Sequence, residues 1–445
     1  MALLTKAVKG TQDILPANSN KNRFVEQTML DIAEKFGYRE IRTPVFEHTE
    51  LFSRGVGDTT DVVQKEMYTF EDKGGRSVTL RPEGTAGAVR AFLEHGLFNE
   101  PLPQKMSYLT SCYRYEKPQA GRLREFHQFG VECLGTESAA ADAELISLAN
   151  QIFAFFDVRD IQLEINSIGC PECRKTYHAA LKSFFEGKKN ELCPTCLDRL
   201  ERNPMRILDC KNPECAEIAA DAPKVLDYIC DDCAAHFENV KRHLDVMNIP
   251  YVVNPTIVRG LDYYTRTVFE FVSKSIGAQG TVCGGGRYDG LAEELGGART
   301  PSLGFALGLE RFMLLLDSQG IDLPSGERPV LFIATMGDAA LLKAVEIVSS
   351  LREDGVEAHY DISGRSLKAQ MKFANKLGVR YTVVLGETEL ESGTVSLKNM
   401  ESGECKDISL DSFSDSFQDY LIHSALGEIA DSGIEIDSDI LKSLI

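Results

Sequence analysis

Residues 259–265 read RGLDYYT, which sets one cation, one carboxylate and two phenols beside a glycine. Such a cluster could align a charged substrate. It could equally be a strand start with an internal ion pair, because TRTVFEF follows with the alternation of a half-buried strand. A second concentration of chemistry lies in YRYEKPQAGRLREFHQFGVECLG, residues 113–135. Read as two strands, it puts Arg114 and Glu116 on one face outbound and Phe126, Gln128 and Glu132 in phase on the return. A cation, two carboxylates, an amide and a phenyl ring make a poor core. They make a good floor for a ligand with a phosphate, a flat base and an amine. Glu132 in particular, a carboxylate on an inward strand face, needs a partner. Glycines at 84, 121 and 284–286 would let backbone approach such a ligand closely. GGGRYDG (284–290) lacks the G-x4-G-K-[ST] of a P-loop and reads as a turn.

Eight of the twelve cysteines fall between residues 170 and 233 as four close pairs: Cys170/Cys173, Cys193/Cys196, Cys210/Cys215 and Cys230/Cys233. In a reducing compartment such pairs read as metal ligands before disulfides. The first two pairs make C-x2-C-x19-C-x2-C, inside the zinc-ribbon range. Structural zinc and buried reduced thiols are the two readings.

Around these groups the chain must supply positioning elements. Val25, Met29, Ile32 and Phe36 recur at helical spacing up to Gly37, and YREIRTPVF follows as a strand interrupted by Pro44. SVTLRP is strand-like and TAGAVRAFLEHG helical. MSYLTSCYRYE and EFHQFGVECLG pair as antiparallel strands around a basic loop. Tyr177, Leu181, Phe184 and Phe185 mark one helix of the cysteine-rich segment; Phe237, Val240, Leu244 and Met247 mark another. After Pro329, VLFIAT, VEAHY and RYTVVLG alternate with two helices, which indicates a small α/β domain with TVSLKN as a further strand. The last residues are acidic, with too little periodicity to assign.

A length of 445 residues suggests roughly three domains. The 43% hydrophobic content supports ample core, and no apolar run is long enough to span a bilayer. The start, MALLTKAVKGTQDILP, resembles neither a secretion signal nor a transit peptide, so a cytoplasmic location is expected. A net charge of −19 argues against indiscriminate coating of nucleic acid. Arg114–Arg124, with four cations against one carboxylate, is a local exception: either a solvated face or a mobile basic loop for a polyanion.

YRYEKPQAGRLREFHQFG resembles motif 2 of the class II aminoacyl-tRNA synthetases, and SLGFALGLERF resembles motif 3. The segment through Pro44 resembles motif 1, the dimer-forming element. RGLDYYT, GGGRYDGL, VKGTQDILP and LRPEGTA are similar to signatures of the histidyl-tRNA synthetase family, and SLKAQMKFANKLGVRYTVVLGE resembles its anticodon-binding domain. The resemblance runs from about residue 6 to residue 400. It implies an α+β catalytic domain on a mainly antiparallel sheet (1–325), interrupted by a Cys-rich, mainly helical insertion (170–248). A small α/β anticodon-binding domain (326–425) and an acidic tail (426–445) would follow.

The resemblance also implies substrates and roles. L-Histidine and ATP with Mg2+ would give histidyl-adenylate and pyrophosphate, and histidine would pass to the 3′ end of tRNA(His) on a homodimeric enzyme. Arg114 would hold the α-phosphate, Glu116 would read the adenine amino group, and Phe126 and Arg311 would sandwich the ring. Arg122 would reach the outer phosphates, unless it is only a loop cation. Arg259 would lie between the histidine carboxylate and the α-phosphate. Tyr263 and Tyr264 would line the imidazole pocket, with Glu132 and Tyr264 bonding its two nitrogens. Glu83, Thr85 and Gln128 would take the α-amino group beside Gly84, although Thr85 could be merely a helix N-cap. Regulatory relatives that sense histidine without charging tRNA are expected to lack the C-terminal domain and to have eroded ATP motifs. Arg114, Glu116, Phe126, Arg259 and Arg311 are all retained here.

Overall fold

Alternating side chains in QKMSYLTSCY and EFHQFGVECL build two ten-residue strands, and these stand second and third from one edge of the main sheet. The computed structural model describes residues 4–57, 60, 62–210, 212–276, 280–326 and 328–431. The sheet has eight strands: β1 (Arg39–Glu40), β2 (Gln104–Tyr113), β3 (Glu125–Leu134), β4 (Ile161–Ser167), β5 (Val252–Val253), β6 (Thr265–Ser273), β7 (Thr281–Arg287) and β8 (Ser302–Gly308). Their order is β1-β2-β3-β8-β7-β6-β4-β5. The six inner strands pair antiparallel, and only the two-residue edge strands β1 and β5 pair parallel.

One sheet face is sealed by helices Pro16–Lys35, Ala139–Phe155, Asp231–Val246 and Leu309–Ser318, whose apolar stripes meet the strands in one cluster around Val25, Phe153, Phe269 and Phe312. The other face carries the site. Two sequence expectations change here. Strand β2 ends at Tyr113, so Arg114 and Glu116 stand in the loop beyond it and do not share a strand face. Gly284–Arg287 belong to β7 and are no turn. The reason is packing: a Cβ on Gly285 would overlap the Gly304 carbonyl of the neighbouring strand, so glycine admits the close pairing.

The chain divides into two units, Met1–Ser325 and Gly326–Ile445. The second has its own five-stranded sheet, in which Leu331–Thr335 lies between Ala358–Tyr360 and Tyr381–Leu385 as parallel neighbours. Thr394–Asn399 and Cys405–Ser409 extend it antiparallel. Strand Cys405–Ser409 and helix Phe413–Asp431 went unassigned in the sequence. Residues 432–445 of the acidic tail lie outside the described residues. Among the described residues no helix is long and apolar enough to cross a membrane.

Candidate active site

The hairpin register places Tyr108 opposite Gly130 and Met106 opposite Glu132. A Cβ on either Gly130 or Gly84 would overlap the Tyr108 ring, so the phenol lies threaded between two glycines. Its hydroxyl donates to Glu132 Oε1 at 2.9 Å, and the Tyr288 hydroxyl donates to Glu132 Oε2. Gly304 opposes Glu132 across the β3–β8 pair, and a Cβ there would overlap the carboxylate. Glu132 is therefore fully enclosed, and desolvation pushes its carboxyl up to about 8 despite the two phenol donors. Tyr263 meets Tyr264 at a tilt, ring centres 4.7 Å apart, and Tyr288 edge-on at 5.4 Å, which completes an aromatic box on the carboxyl. Burial raises the hydroxyls of Tyr108, Tyr263 and Tyr288 well above the ordinary phenol range, so all three remain donors. The box is polar where it matters and dry elsewhere.

Arg259 heads the next layer. It pairs with Glu270 of β6 and lies over the Tyr264 ring at 5.5 Å. Gly284 makes room for it, since a Cβ there would overlap the guanidinium. Glu270 also accepts from Thr281 Oγ1 at 2.7 Å, and the Thr281 carbonyl accepts from Arg311. The Arg311 side chain in turn packs against Gly121 of the hairpin loop. Burial lowers its basicity, and nearby Arg122 lowers it further. One continuous run of contacts thus joins Arg259 to the loop.

In that loop Arg122 pairs with Glu116 at 3.2 Å, and Arg124 stacks on Tyr115 at 3.8 Å. Arg114 donates Nε to the Pro82 carbonyl at 2.8 Å and sits 5.3 Å from the Phe126 ring. No carboxylate lies within ion-pair distance of it among the described residues. Gln128 Oε1 accepts from Cys112 Sγ at 3.3 Å. Glu83 accepts from the backbone N–H groups of Thr85 and Ala86 at 2.7 and 2.8 Å, so it closes the N-terminus of helix Thr85–Glu94. Thr85 is not the cap: Gly84 holds that position, and the Glu83 carboxylate does the bonding.

Sequence reasoning missed Tyr108, Tyr288, Glu270 and Gly304. A hairpin register would have found the first, because a large aromatic opposite a glycine on a shared face signals a ring laid over backbone. His127 and Glu310 were also missed. Glu310 binds the His127 N–H at 3.0 Å and its Nδ1 at 2.8 Å, fixing helix Leu309–Ser318 to β3.

The cysteines pair differently from the sequence expectation. Cys170 and Cys173 converge with Cys230 and Cys233, while Cys193 and Cys196 converge with Cys210 and Cys215. A ribbon from the first two pairs is not formed, because the helix Pro171–Glu186 separates them.

An antiparallel floor, a basic hairpin loop and an arginine on the following strand–helix unit define the catalytic domain of a class II aminoacyl-tRNA synthetase. The profile of the histidyl-tRNA synthetase family matches residues 10–312, and that of the anticodon-binding domain matches 330–420. The chain is 56% identical to the histidine–tRNA ligase of Caldanaerobacter subterraneus, over 92% of this chain and 98% of that one. It is 54% identical to that of Acetivibrio thermocellus over the same shares. The crystal structure of apo histidyl-tRNA synthetase from S. aureus superposes with a TM-score of 0.80 at 42% identity, covering 93% of this chain and all of that one. The chain belongs to the histidyl-tRNA synthetase family.

Proposed function

We propose roles for the site in the reaction of a histidine–tRNA ligase, which activates L-histidine with ATP and transfers it to tRNA. The run of contacts from Glu132 through Arg259 to the hairpin loop supports this reading above all, since it sets an amino-acid box beside a phosphate-binding surface. The histidine side chain enters the tyrosine box. Each Glu132 oxygen retains a lone pair after its phenol bond, so one can accept from an imidazole N–H while Tyr264 serves the other nitrogen. A side chain polar at only one end would leave a buried group unpaired, which is the strong route to rejection. Gln128, Thr85 and Glu83 face the α-amino group, and Gly84 lets it approach.

ATP takes the other half. Arg114, which has no carboxylate at ion-pair distance among the described residues, holds the α-phosphate, and Phe126 and Arg311 flank the adenine. Glu116 reads the adenine amino group and, on doing so, releases Arg122 to the outer phosphates. Arg259 exchanges Glu270 for the histidine carboxylate and the α-phosphate, aligning nucleophile and electrophile and neutralising charge as it builds. Magnesium fits without a protein cage: among the described residues no three carboxylates or imidazoles converge here, so phosphate oxygens and water would hold it. When bound it offsets charge on the outer phosphates.

The finer assignments extend to the assembly. The enzyme works in the cytoplasm as a homodimer joined across the motif 1 face. A cleft of about 1190 Å³ lined by Ile41, Pro44, Leu51, Leu93 and Phe98 lies there and contains no site residue; exposed Phe46 and Phe98 suit a partner. The eight paired cysteines hold structural zinc, and the basic loop with Gln119 at its tip meets the tRNA acceptor end.

Histidine-dependent ATP–pyrophosphate exchange tests the core of this reading. Tyr264→Phe should raise the KM for histidine about tenfold with little change for ATP. An unchanged KM, or better exchange with another amino acid, would remove the tyrosine box from the account.

A further inference from the structure

Between β4 and β5 the chain leaves the sheet and folds through the cysteine-rich segment, and RGLDYYT follows β5. Within each set of four cysteines the ligand atoms all lie within 4.8 Å of one another. A tetrahedron of thiolates around zinc needs sulfurs roughly 4 Å apart, since Zn–S is about 2.3 Å. Cys170 Sγ and Cys173 Sγ are 3.5 Å apart, and Cys193 Sγ and Cys210 Sγ are 3.9 Å apart. Cys170, Cys193 and Cys230 each cap a helix N-terminus, where the backbone favours a negative sulfur. The Cys230 N–H also donates to Cys173 Sγ at 3.0 Å, and the Cys193 N–H to Cys215 Sγ at 3.3 Å. Four soft donors without carboxylate or imidazole select zinc over hard cations.

Each set also fixes an arm that reaches the catalytic heptapeptide. Arg174 follows Cys173 directly, and its Nη1 donates to the carbonyls of Tyr264 at 3.1 Å and Asp262 at 3.4 Å. Asn203 and Arg206 lie in the link between Cys196 and Cys210. Asn203 donates to Asp262 Oδ1 at 3.2 Å, and Arg206 donates to the Gly260 carbonyl at 2.6 Å. The insertion's Leu181, Leu200 and Ile207 share one apolar cluster with Tyr263, Tyr264 and Tyr288. The backbone between Arg259 and the tyrosine box is therefore held from the insertion.

We propose that the two four-cysteine sets are separate zinc centres whose occupancy positions the Arg259–Thr265 backbone through Arg174, Asn203 and Arg206. The positioning half rests on the role assigned to Arg259. These three are positioning residues, since none touches substrate in that reading. Because the two arginines hold backbone carbonyls of the heptapeptide and Asn203 holds its Asp262 carboxylate, losing an arginine should move the Arg259 guanidinium and leave the adenine site in place.

The test uses the full chain purified without added metal. Elemental analysis should give about two zinc per chain, one for each set of four thiolates, and the double variant C193S/C196S should keep one. In pyrophosphate exchange, Arg206→Met should lower kcat/KM for histidine about tenfold or more, leave the KM for ATP nearly unchanged, and recover in Arg206→Lys. Near-zero zinc with all eight cysteines of the two sets present as free thiols, or as disulfides, would overturn the centres. Two zinc ions together with wild-type kinetics for Arg206→Met would overturn the positioning role, and since that variant keeps every cysteine, misfolding of the cysteine variants does not blur the result. Wild-type exchange is the control: its absence with histidine would count against the Arg259 assignment, whatever the metal content.

Discussion

Glu132, to which we assign histidine recognition, also makes folding pH-dependent. Its carboxyl rises to about 8 because desolvation outweighs the phenol donors, whereas in the unfolded chain it titrates near 4.5. The folded state therefore binds the extra proton, and this contribution to stability is present at acid pH and lost as pH rises towards 8. The slope is at most about 1.4 kcal/mol per pH unit. Glu83, also raised by burial, acts in the same direction. Glu132→Gln should flatten the fall in urea midpoint between about pH 5 and pH 8.5 while raising the KM for histidine. Parallel pH dependences for wild type and variant would show that Glu132 is not buried as described. At this scale the sequence singled out Arg259 and Glu132, the residues to which we assign substrate contacts. It was opaque for residues that touch only those, such as Tyr108 and Gly304, because register and cross-strand distance decide their roles.

Strand β7 illustrates the same limit for an element. GGGR reads as a turn by composition, yet its glycines are there to admit Phe305, the Arg259 guanidinium and the backbone of β6 at close range. Arg287 at its end looks like a site cation but points the other way. It is fully buried, with Asp142 at 2.8 Å, Asp289 at 3.3 Å and the carbonyls of Thr136 and Ser138 at 2.9 Å. Burial alone would raise the Asp142 carboxyl, but Arg287 and His236 hold it below the ordinary range. Arg287→Met strands that carboxylate and should cost about 3–5 kcal/mol of stability. Urea unfolding would measure it, and a loss below about 1 kcal/mol would mean the network is not coupled as drawn. Helices with one long apolar stripe, such as Pro16–Lys35 and Asp231–Val246, were legible, whereas Ala139–Phe155, buried over much of its surface, and Leu309–Ser318 were not read as helices. The short edge strands depend on tertiary partners that no local pattern carries, and at the N-terminus of helix Thr85–Glu94 the Glu83 carboxylate does the bonding that the alternative reading gave to Thr85.

For the whole molecule, charge separates the two half-reactions. A chain of net charge −19 is expected to bind tRNA through local basic surfaces, and the 114–124 loop is the one to which we assign the acceptor end. tRNA charging should therefore weaken more steeply with added salt than amino-acid activation does, with Arg124→Ala reducing the slope by about one counterion. Equal salt slopes for the two reactions would exclude the loop from tRNA binding. The most direct test of the account is histidine-dependent pyrophosphate exchange by Arg259→Ala, measured beside wild type at saturating ATP. A guanidinium that bridges the two reactants predicts a fall of about a thousandfold in kcat, with exchange by the wild type supported best by histidine. Activity within a few fold of wild type would contradict it, because Arg259 would then serve only its ion pair with Glu270.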